Sequence, residues 1–289
     1  MSRSRATAIG ALAILLWALL ALLTVATAPV PPLLLNAMTF TIGGSLGLVW
    51  VGLNGSWRDL ARVRLHVYLF GTAGLFGYHF LYFSALRLAP PAEASLIAYL
   101  WPLLIVVFSG LLPGERLRGL HVAGALTAFA GAAAILWRGG GFGLGPGHVL
   151  AFGCALTWSG YSLASRRLES TPTAAVTIYC LGTAVLSAGA HLVLETPAWP
   201  DGPGGWLAIV ALGLGPVGLA FYVWDIGVKR GHIQLLGVMS YSAPLLSTLA
   251  LVGARHAEPS ARIAVAAGLI TAGAALAARA GARSSGPQA

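Results

Sequence analysis

Two apolar stretches of the chain share the residues best suited to bind a small molecule inside a protein. Tyr99 stands three residues before Pro102 in the first, and Tyr241 stands three residues before Pro244 in the second. The second copy follows the first at an offset of 142 residues, and each proline is followed by two leucines. A pattern that returns at a constant offset indicates one structural unit used twice.

The two prolines predict a local break in each apolar helix. A proline inside a helix has no amide donor and leaves the carbonyl four residues earlier without its helical partner. These carbonyls belong to Ala98 and Ser240. In a membrane such carbonyls need protein or water as partners, and interrupted helices are typical of transporter binding sites. The alternative is a simple kink, but its recurrence in both copies favours a cavity beside Pro102 and Pro244.

Aromatic and hydroxyl side chains concentrate in the same apolar segments, which favours a polar, ring-lined cavity. Tyr78 and Tyr82 lie four residues apart and share a helix face with His79 between them. For His79 we keep two interpretations, a satisfied packing residue or a residue that lines a wet cavity. The candidate substrate-binding residues are Trp17, Tyr78, His79, Tyr82, Tyr99, Trp101, Trp158, Tyr161, Ser162, Ser240, Tyr241 and Ser242.

Acidic residues in the apolar segments have simpler explanations than catalysis or proton transfer. Asp225 stands four residues before Lys229, which predicts a local ion pair, and Glu93 falls in the first turn of a helix, where an acid interacts with the helix dipole. We find no metal-ligand spacing and no nucleophile beside a base. The sequence therefore predicts no enzyme activity, no metal and no cofactor.

The composition requires a lipid bilayer around the chain. Apolar residues make up 57% of the 289 residues and charged residues 9%, against about 25% charged in soluble domains. A bilayer core is spanned by about 20 apolar residues. The predicted spans are 6–27, 31–53, 66–86, 92–112, 118–137, 147–166, 173–194, 205–228, 232–253 and 260–280. Small residues at Ala123, Thr127 and Gly131 predict a face for close helix packing.

The fold class that follows is an all-α integral membrane protein, with ten transmembrane helices arranged as two inverted five-helix repeats around a central cavity. Five is an odd number, so the second copy enters the membrane upside down relative to the first. We assign residues 1–138 to the first repeat, 139–147 to a flexible glycine-rich linker, 148–283 to the second repeat and 284–289 to a disordered tail.

The net charge of +9 does not indicate a nucleic-acid partner here. The distribution of the basic residues instead indicates how the chain is oriented in the membrane. With the N-terminus in the cytoplasm, the outer side holds Arg87, Arg138, Arg255 and Arg262, and the other thirteen of the 17 lie inside. The positive-inside rule then places both termini in the cytoplasm. We expect a multi-pass protein of the bacterial inner membrane that functions as a monomer.

The N-terminal segment has a second interpretation. Arg3 and Arg5, an apolar run and the small residues at 26–28 resemble a secretory signal with a cleavage site. A signal core is about 7–15 residues long and this run is longer. Its removal would also break the repeat of five spans, so we interpret it as the first membrane helix.

Short motifs of the chain, most of them in its first half, resemble those of a known transporter group. They are Pro113-Gly114-Glu115, Arg87-Leu88-Ala89-Pro90 and the paired prolines, together with Tyr78-His79-Phe80 and Ala98-Tyr99-Leu100-Trp101-Pro102-Leu103. The chain is similar to the EamA-like family of the drug/metabolite transporter superfamily, and its first half to the YddG branch of that family. The second copy has Ala257-Glu258 in place of the Gly-Glu pair.

The resemblance implies ten helices in two inverted repeats and the export of aromatic and other neutral amino acids. The residues themselves favour a zwitterionic solute, since aromatic walls and hydroxyls suit it better than a permanent charge. Transport of other metabolites or of drug-like organic cations is the alternative, and a membrane enzyme or scaffold ranks third. Proton coupling through His79, a residue type whose unperturbed pKa lies near neutral pH, and facilitated diffusion both remain hypotheses.

Overall fold

A computed structural model of the chain describes residues 1–137, 145–254 and 258–282. These residues form helices joined by short turns, and no β-strand occurs among them. The expected disordered tail at 284–289 and most of the expected linker lie outside the described residues.

The long helical segments are numbered here in chain order. They are α1 (Arg3–Val25), α2 (Pro32–Leu53), α3 (Leu65–Leu88), α4 (Pro91–Leu111), α5 (Gly119–Leu136), α6 (Pro146–Arg167), α7 (Thr173–Leu194), α8 (Pro203–Arg230), α9 (Ile233–Gly253) and α10 (Ala261–Ala282). A short connecting helix, Trp57–Arg62, lies between α2 and α3.

Eight of these segments are long and apolar enough to cross a membrane, which confirms eight of the predicted spans. The two that fall short are α3 and α6, although they have 24 and 22 residues. Both carry polar aromatic, histidine and hydroxyl side chains, which lower their mean hydropathy. These two segments carry six of the twelve candidate substrate-binding residues, three on each.

Prolines mark the starts of several helices. Pro32, Pro91, Pro146 and Pro203 each occupy the first position of their helix, where the missing amide donor costs nothing. The helix α6 begins at Pro146, one residue before the predicted start of that span at 147.

The predicted breaks in α4 and α9 are confirmed. In α4 the helix is interrupted at 99–100, and in α9 at 240–241, in each case just before the proline. The expectation of a free carbonyl at Ser240 is wrong, because the turn tightens and the Ala243 amide donates to that carbonyl at 3.1 Å. Two further irregularities are a turn at 18–19 in α1 and a π-helical stretch, Gly215–Leu219, in α8.

Helix packing brings the two halves of the chain together along four main contacts. These are α1 with α8, α3 with α6, α2 with α7, and α5 with α10. Glycines allow the close approaches: a Cβ at Gly10 would lie 2.7 Å from the Gly227 Cα, and a Cβ at Gly124 would lie 2.6 Å from the Gly273 carbonyl oxygen.

The small-residue face predicted on α5 is only partly right. Gly131 packs against α10 as expected, but Ala123 is exposed, and Thr127 is only half-buried and donates to the Ala123 carbonyl of its own helix. The packed face runs through Gly124, Ala128 and Gly131 instead. The sequence has small residues on both faces of α5, so spacing did not distinguish them.

Candidate functional site

A narrow cavity of about 80 Å³ lies among α1, α3, α4, α6, α8 and α9. Most of its lining is aromatic, and none of the lining residues is acidic, Lys or Arg. The residues are Trp17, Leu20, Tyr78, His79, Tyr99, Trp101, Trp158, Pro216, Val217, Phe221 and Ala243. Six of the predicted binding residues are therefore brought to one cavity: Trp17, Tyr78, His79, Tyr99, Trp101 and Trp158.

Tryptophans form the wall of the cavity. The ring of Trp17 lies 5.8 Å from that of Trp158, 6.2 Å from that of Trp101 and 5.1 Å from that of Trp224. Trp101 is 5% exposed, Trp158 3% and Trp224 1%. Aromatic pairs at these spacings attract one another beyond simple burial. The cluster therefore gives an aromatic surface suited to stacking against a flat ring or packing against an apolar side chain.

Trp17 also connects α1 to the irregular part of α8. Its indole Nε1–H donates to the Pro216 carbonyl at 3.1 Å, inside the π-helical stretch Gly215–Leu219. Such stretches are rare and recur at functional sites. The sequence Gly-Leu-Gly-Pro at 213–216, where this stretch begins, is the signal that could have identified Pro216 as a lining residue beforehand.

His79 is held in a defined tautomer among aromatic rings. Its Nδ1 lies 2.7 Å from the Leu75 carbonyl oxygen. Since a carbonyl only accepts, Nδ1 carries the hydrogen, and in the neutral imidazole Nε2 is then an acceptor. The rings of Phe40 and Phe221 lie 5.1 and 6.0 Å from the imidazole. His79 is thus both a packed residue and a cavity-lining one.

The tyrosines of α3 and α4 supply hydroxyl groups beside the rings. Tyr78 and Tyr82 are stacked with centroids 6.2 Å apart, and the Tyr82 hydroxyl lies 3.1 Å from the Ser95 Oγ. Tyr82 does not line the cavity. The Tyr99 hydroxyl makes no hydrogen bond within the part of the chain that the structure describes, so it remains available to a solute.

Five other predicted residues lie outside the cavity lining and have partners in the protein. Tyr161 is buried and stacks on Phe70 at 5.8 Å, and the Ser162 hydroxyl accepts from the Trp224 indole at 3.2 Å. Ser240 and Ser242 donate to the carbonyls of Leu236 and Met239 at 2.8 and 2.7 Å. Pro102 and Pro244 are buried at the helix breaks and do not line the cavity either.

Tyr241, the last of these five, supplies a hydrogen-bond partner at the break in α4. Its hydroxyl accepts the Leu103 amide hydrogen at 3.0 Å, one of the amides left without a helical partner by the interruption at 99–100. The repeated tyrosine therefore acts on the other copy of the repeated unit. This role was not visible in the sequence, because it depends on the packing of α9 against α4.

We expect Tyr241→Phe to lower the free energy of unfolding by about 1–3 kcal/mol, since the buried Leu103 amide loses its acceptor. Thermal unfolding in detergent would measure it. Tyr99→Phe is the matched control, because that hydroxyl has no partner among the described residues. Equal unfolding temperatures for both variants would show that the Leu103 contact contributes nothing.

A polar cluster closes the end of the molecule that holds the N-terminus. Glu115 pairs with Arg3 and with Arg166, at 2.5 Å for the latter, and accepts from Gln234 Nε2 at 3.0 Å. Arg166 also donates to the carbonyls of 228, 229 and 231, at 2.8 to 3.2 Å. We call Arg3, Glu115, Arg166 and Gln234 the Glu115 cluster. It joins α1, the α4–α5 loop, α6 and the start of α9.

The opposite end is held by Glu195, which follows α7. Its carboxylate accepts the amide hydrogens of Leu33 and Leu34 at 3.1 to 3.2 Å, at the start of α2, and pairs with Arg87 at 2.7 Å. An acid at a helix N-terminus is stabilised by the unpaired amides there.

The two acids predicted within helices are paired. Asp225 and Lys229 form the predicted ion pair at 2.9 Å, and both are buried. Glu93 lies in the first turn of α4, as expected, and also meets the His148 Nε2 at 2.7 Å.

The comparisons with known proteins agree with this architecture. The model of the EamA-like transporter family matches the chain twice, over residues 5–137 and 145–279. A solved crystal structure that is 55% identical superposes with a TM-score of 0.91 and covers 96% of this chain and 99% of that one.

Two curated relatives carry the same name. The aromatic amino acid exporter YddG of Ancylobacter novellus is 57% identical over 96% of this chain and 98% of that protein. The protein of that name from Salmonella typhimurium is 27% identical over 86% and 88%. The resemblance inferred from the short motifs is confirmed, and the chain belongs to the EamA-like transporter family.

Proposed function

We propose that this multi-pass membrane protein exports aromatic and other neutral amino acids by alternating access. The observation that carries the proposal is the cavity of rings at the meeting point of six helices. Its lining contains no side chain with a permanent charge, so it favours a solute without net charge. The names of the relatives at 57% and 27% identity support the same substrate class.

The geometry suggests how a zwitterionic amino acid would be held. The rings of Trp17, Trp101 and Trp158 would contact its side chain. The free Tyr99 hydroxyl can donate to its carboxylate, and the acceptor nitrogen of His79 can receive a hydrogen bond from its ammonium group. A cavity of about 80 Å³ is smaller than the roughly 300 Å³ of typical ligand sites. A ring therefore enters only if the lining side chains move.

The full architecture in this proposal has ten membrane helices in two inverted repeats. The family model matches each half once, and each half supplies five long segments. A twofold relation would exchange each helix with its counterpart in the other repeat, so that α1 takes the place of α6 and α8 that of α3. The α1–α8 contact then corresponds to the α6–α3 contact, and the α2–α7 and α5–α10 pairs each correspond to themselves. All these contacts are present, which supports a pseudo-twofold relation. The polar side chains of α3 and α6 are compatible with spanning because they line the cavity or are buried within the protein.

The orientation in this proposal follows the basic residues, with both termini in the cytoplasm of a bacterium and the protein a monomer of the inner membrane. The Glu115 cluster is then cytoplasmic and the Glu195 pairs are external. On the cytoplasmic side of the cavity Trp158, Tyr161 and Trp224 are buried, whereas Tyr78 and Tyr99 are only half-buried. We infer that this conformation is closed toward the cytoplasm.

Transport into proteoliposomes tests the proposal. Purified protein would be reconstituted and the uptake of labelled Phe, Thr and Met measured beside that of methyl viologen, with protein-free liposomes as the control. We expect saturable flux of the amino acids and mutual competition among them. Flux of methyl viologen without amino-acid flux would instead favour the organic-cation alternative, which cation–π contacts with the tryptophans would explain.

A further inference from the structure

A second, larger cavity lies at the N-terminal end of the molecule, away from the ring-lined one. Its volume is about 480 Å³, within the range of small-molecule sites. Three segments enclose it: the connecting helix Trp57–Arg62, the start of α3, and the turn between α6 and α7. The lining residues are Asp59, Arg62, Val63, Arg64, His66, Val67, Leu168, Ser170, Thr171 and Pro172.

The walls of this cavity are fixed by hydrogen bonds. The Tyr68 hydroxyl donates to the Leu60 carbonyl at 2.7 Å, which ties the connecting helix to α3. The Lys229 ammonium donates to the Thr171 carbonyl at 2.9 Å, which anchors the α6–α7 turn to α8. The cavity is therefore built into the fold rather than left between loose loops.

Positive charge dominates the lining. Arg62 meets Asp59 only at 3.9 Å, with both side chains more than half exposed, and exposed pairs of this kind are weak. Within the described ranges, the side chains of Arg64 and His66 make no hydrogen bond or ion pair. The lining contains two arginines and an imidazole but only one carboxylate, and Ser170 adds a hydroxyl donor. These hydrogen-bond donors and positive charges are suited to bind the oxygens of a phosphate group.

Apolar side chains close in sequence to the lining residues are exposed. Leu53, at the end of α2, is 83% exposed, Leu65 is 71% and Trp57 is 52%. Exposed leucines at the ends of membrane helices contact acyl chains, and tryptophan prefers the level of the lipid headgroups. A phosphate bound to the arginines would thus have hydrocarbon directly beside it.

We propose that this cavity binds the headgroup of an anionic phospholipid. The phosphodiester lies against Arg62 and Arg64, and the acyl chains run along Leu65 and the exposed face of α3. Clusters of basic residues next to a membrane helix attract anionic lipids in this way. The proposal is independent of the solute that the transporter carries.

Binding of phosphatidylglycerol to the full-length protein tests this. Native mass spectrometry and thermal unfolding in detergent would compare added phosphatidylglycerol with phosphatidylcholine. We expect bound phosphatidylglycerol and a raised unfolding temperature with the anionic lipid only. In the double variant R62A/R64A its affinity falls about 30-fold, since each basic residue near an anionic lipid contributes a factor of about five.

Arg58→Ala is the matched control. Arg58 belongs to the same connecting helix and is exposed, but it does not line the cavity. We expect it to bind phosphatidylglycerol nearly as the wild type does. Undiminished binding by R62A/R64A would overturn the proposal. So would equal stabilisation by inorganic phosphate alone, which would assign the site to a soluble phosphate instead of a lipid.

Discussion

Trp17→Ala should reduce amino-acid transport at least about tenfold, an effect equivalent to about 1.4 kcal/mol or more. Two losses combine in this variant. The substrate loses one ring of the cavity wall, and the Pro216 carbonyl loses its hydrogen bond from the indole. The lost hydrogen bond alone contributes about 1 kcal/mol. Initial uptake rates in proteoliposomes, normalised to protein content, would measure the effect.

Trp17→Phe separates these two contributions, because it keeps a ring but removes the donor. We expect its transport to lie between those of the wild type and Trp17→Ala. Trp206→Ala is the matched control: Trp206 is 44% exposed, stacks on Trp199 at 6.1 Å and lies outside the cavity. Wild-type rates in Trp17→Ala with an intact fold would show that the ring-lined cavity is not the route of the substrate.

The positions of the membrane segments were predictable because hydrophobic length is a local property of the sequence. The predicted and observed ends of most helices agree within a few residues. The helix breaks were predictable for the same reason, since Pro102 and Pro244 each lack an amide donor whatever surrounds them.

The site was only partly predictable, because a residue's role depends on which helix it faces. Ser240 and Tyr241 have the right chemistry, but α9 turns one toward its own carbonyl at Leu236 and the other toward Leu103 of α4. Conversely, Phe221 and Val217 line the cavity, although nothing in their type distinguishes them from ordinary packing residues. The packing of α1 against α8 determines which residues of α8 line the cavity. The periodicity of the sequence does not show which helices pack against each other.

The ion pairs at the end of the molecule that holds the N-terminus could not be predicted from the sequence either. Glu115 belongs to the Pro113-Gly114-Glu115 motif that carried the family resemblance, but its partners come from the far N-terminus, α6 and α9. No spacing rule connects Arg3 with Glu115 across more than a hundred residues.

Glu115→Gln should open the end of the molecule that the Glu115 cluster closes. The substitution removes the charge that both Arg3 and Arg166 meet. Breaking a buried ion pair costs about 3–5 kcal/mol, and since Arg3 is 41% exposed we expect the lower limit. About 3 kcal/mol corresponds to roughly a hundredfold change in the ratio of closed to open molecules. The transport rate should fall, because the open conformation is then favoured and the return to the closed conformation becomes slower or rarer.

Thiol labelling would measure this opening. Ala6 lies at the same end of α1 and is fully buried, and Ala6→Cys would report exposure there. The native Cys154 and Cys180 are also buried, so background labelling is low. We expect labelling at position 6 to be at least tenfold faster with Glu115→Gln. Glu169→Gln, which changes an exposed acid without a partner among the described residues, should leave it unchanged.

The pH dependence gives an independent check on the same cluster. Burial raises the pKa of the Glu115 carboxyl, but hydrogen bonds from Gln234 and Arg3 and the charges of Arg3 and Arg166 outweigh it, so the pKa lies below its usual range. A lowered carboxyl pKa stabilises the folded state above the unfolded pKa, about 4.3 for Glu. That stability is lost as the pH falls through the lower folded value. The difference in unfolding free energy between wild type and Glu115→Gln should therefore stay constant from about pH 8 to 6 and shrink only in strong acid. A difference that already disappears near neutral pH would contradict the assigned ion pairs.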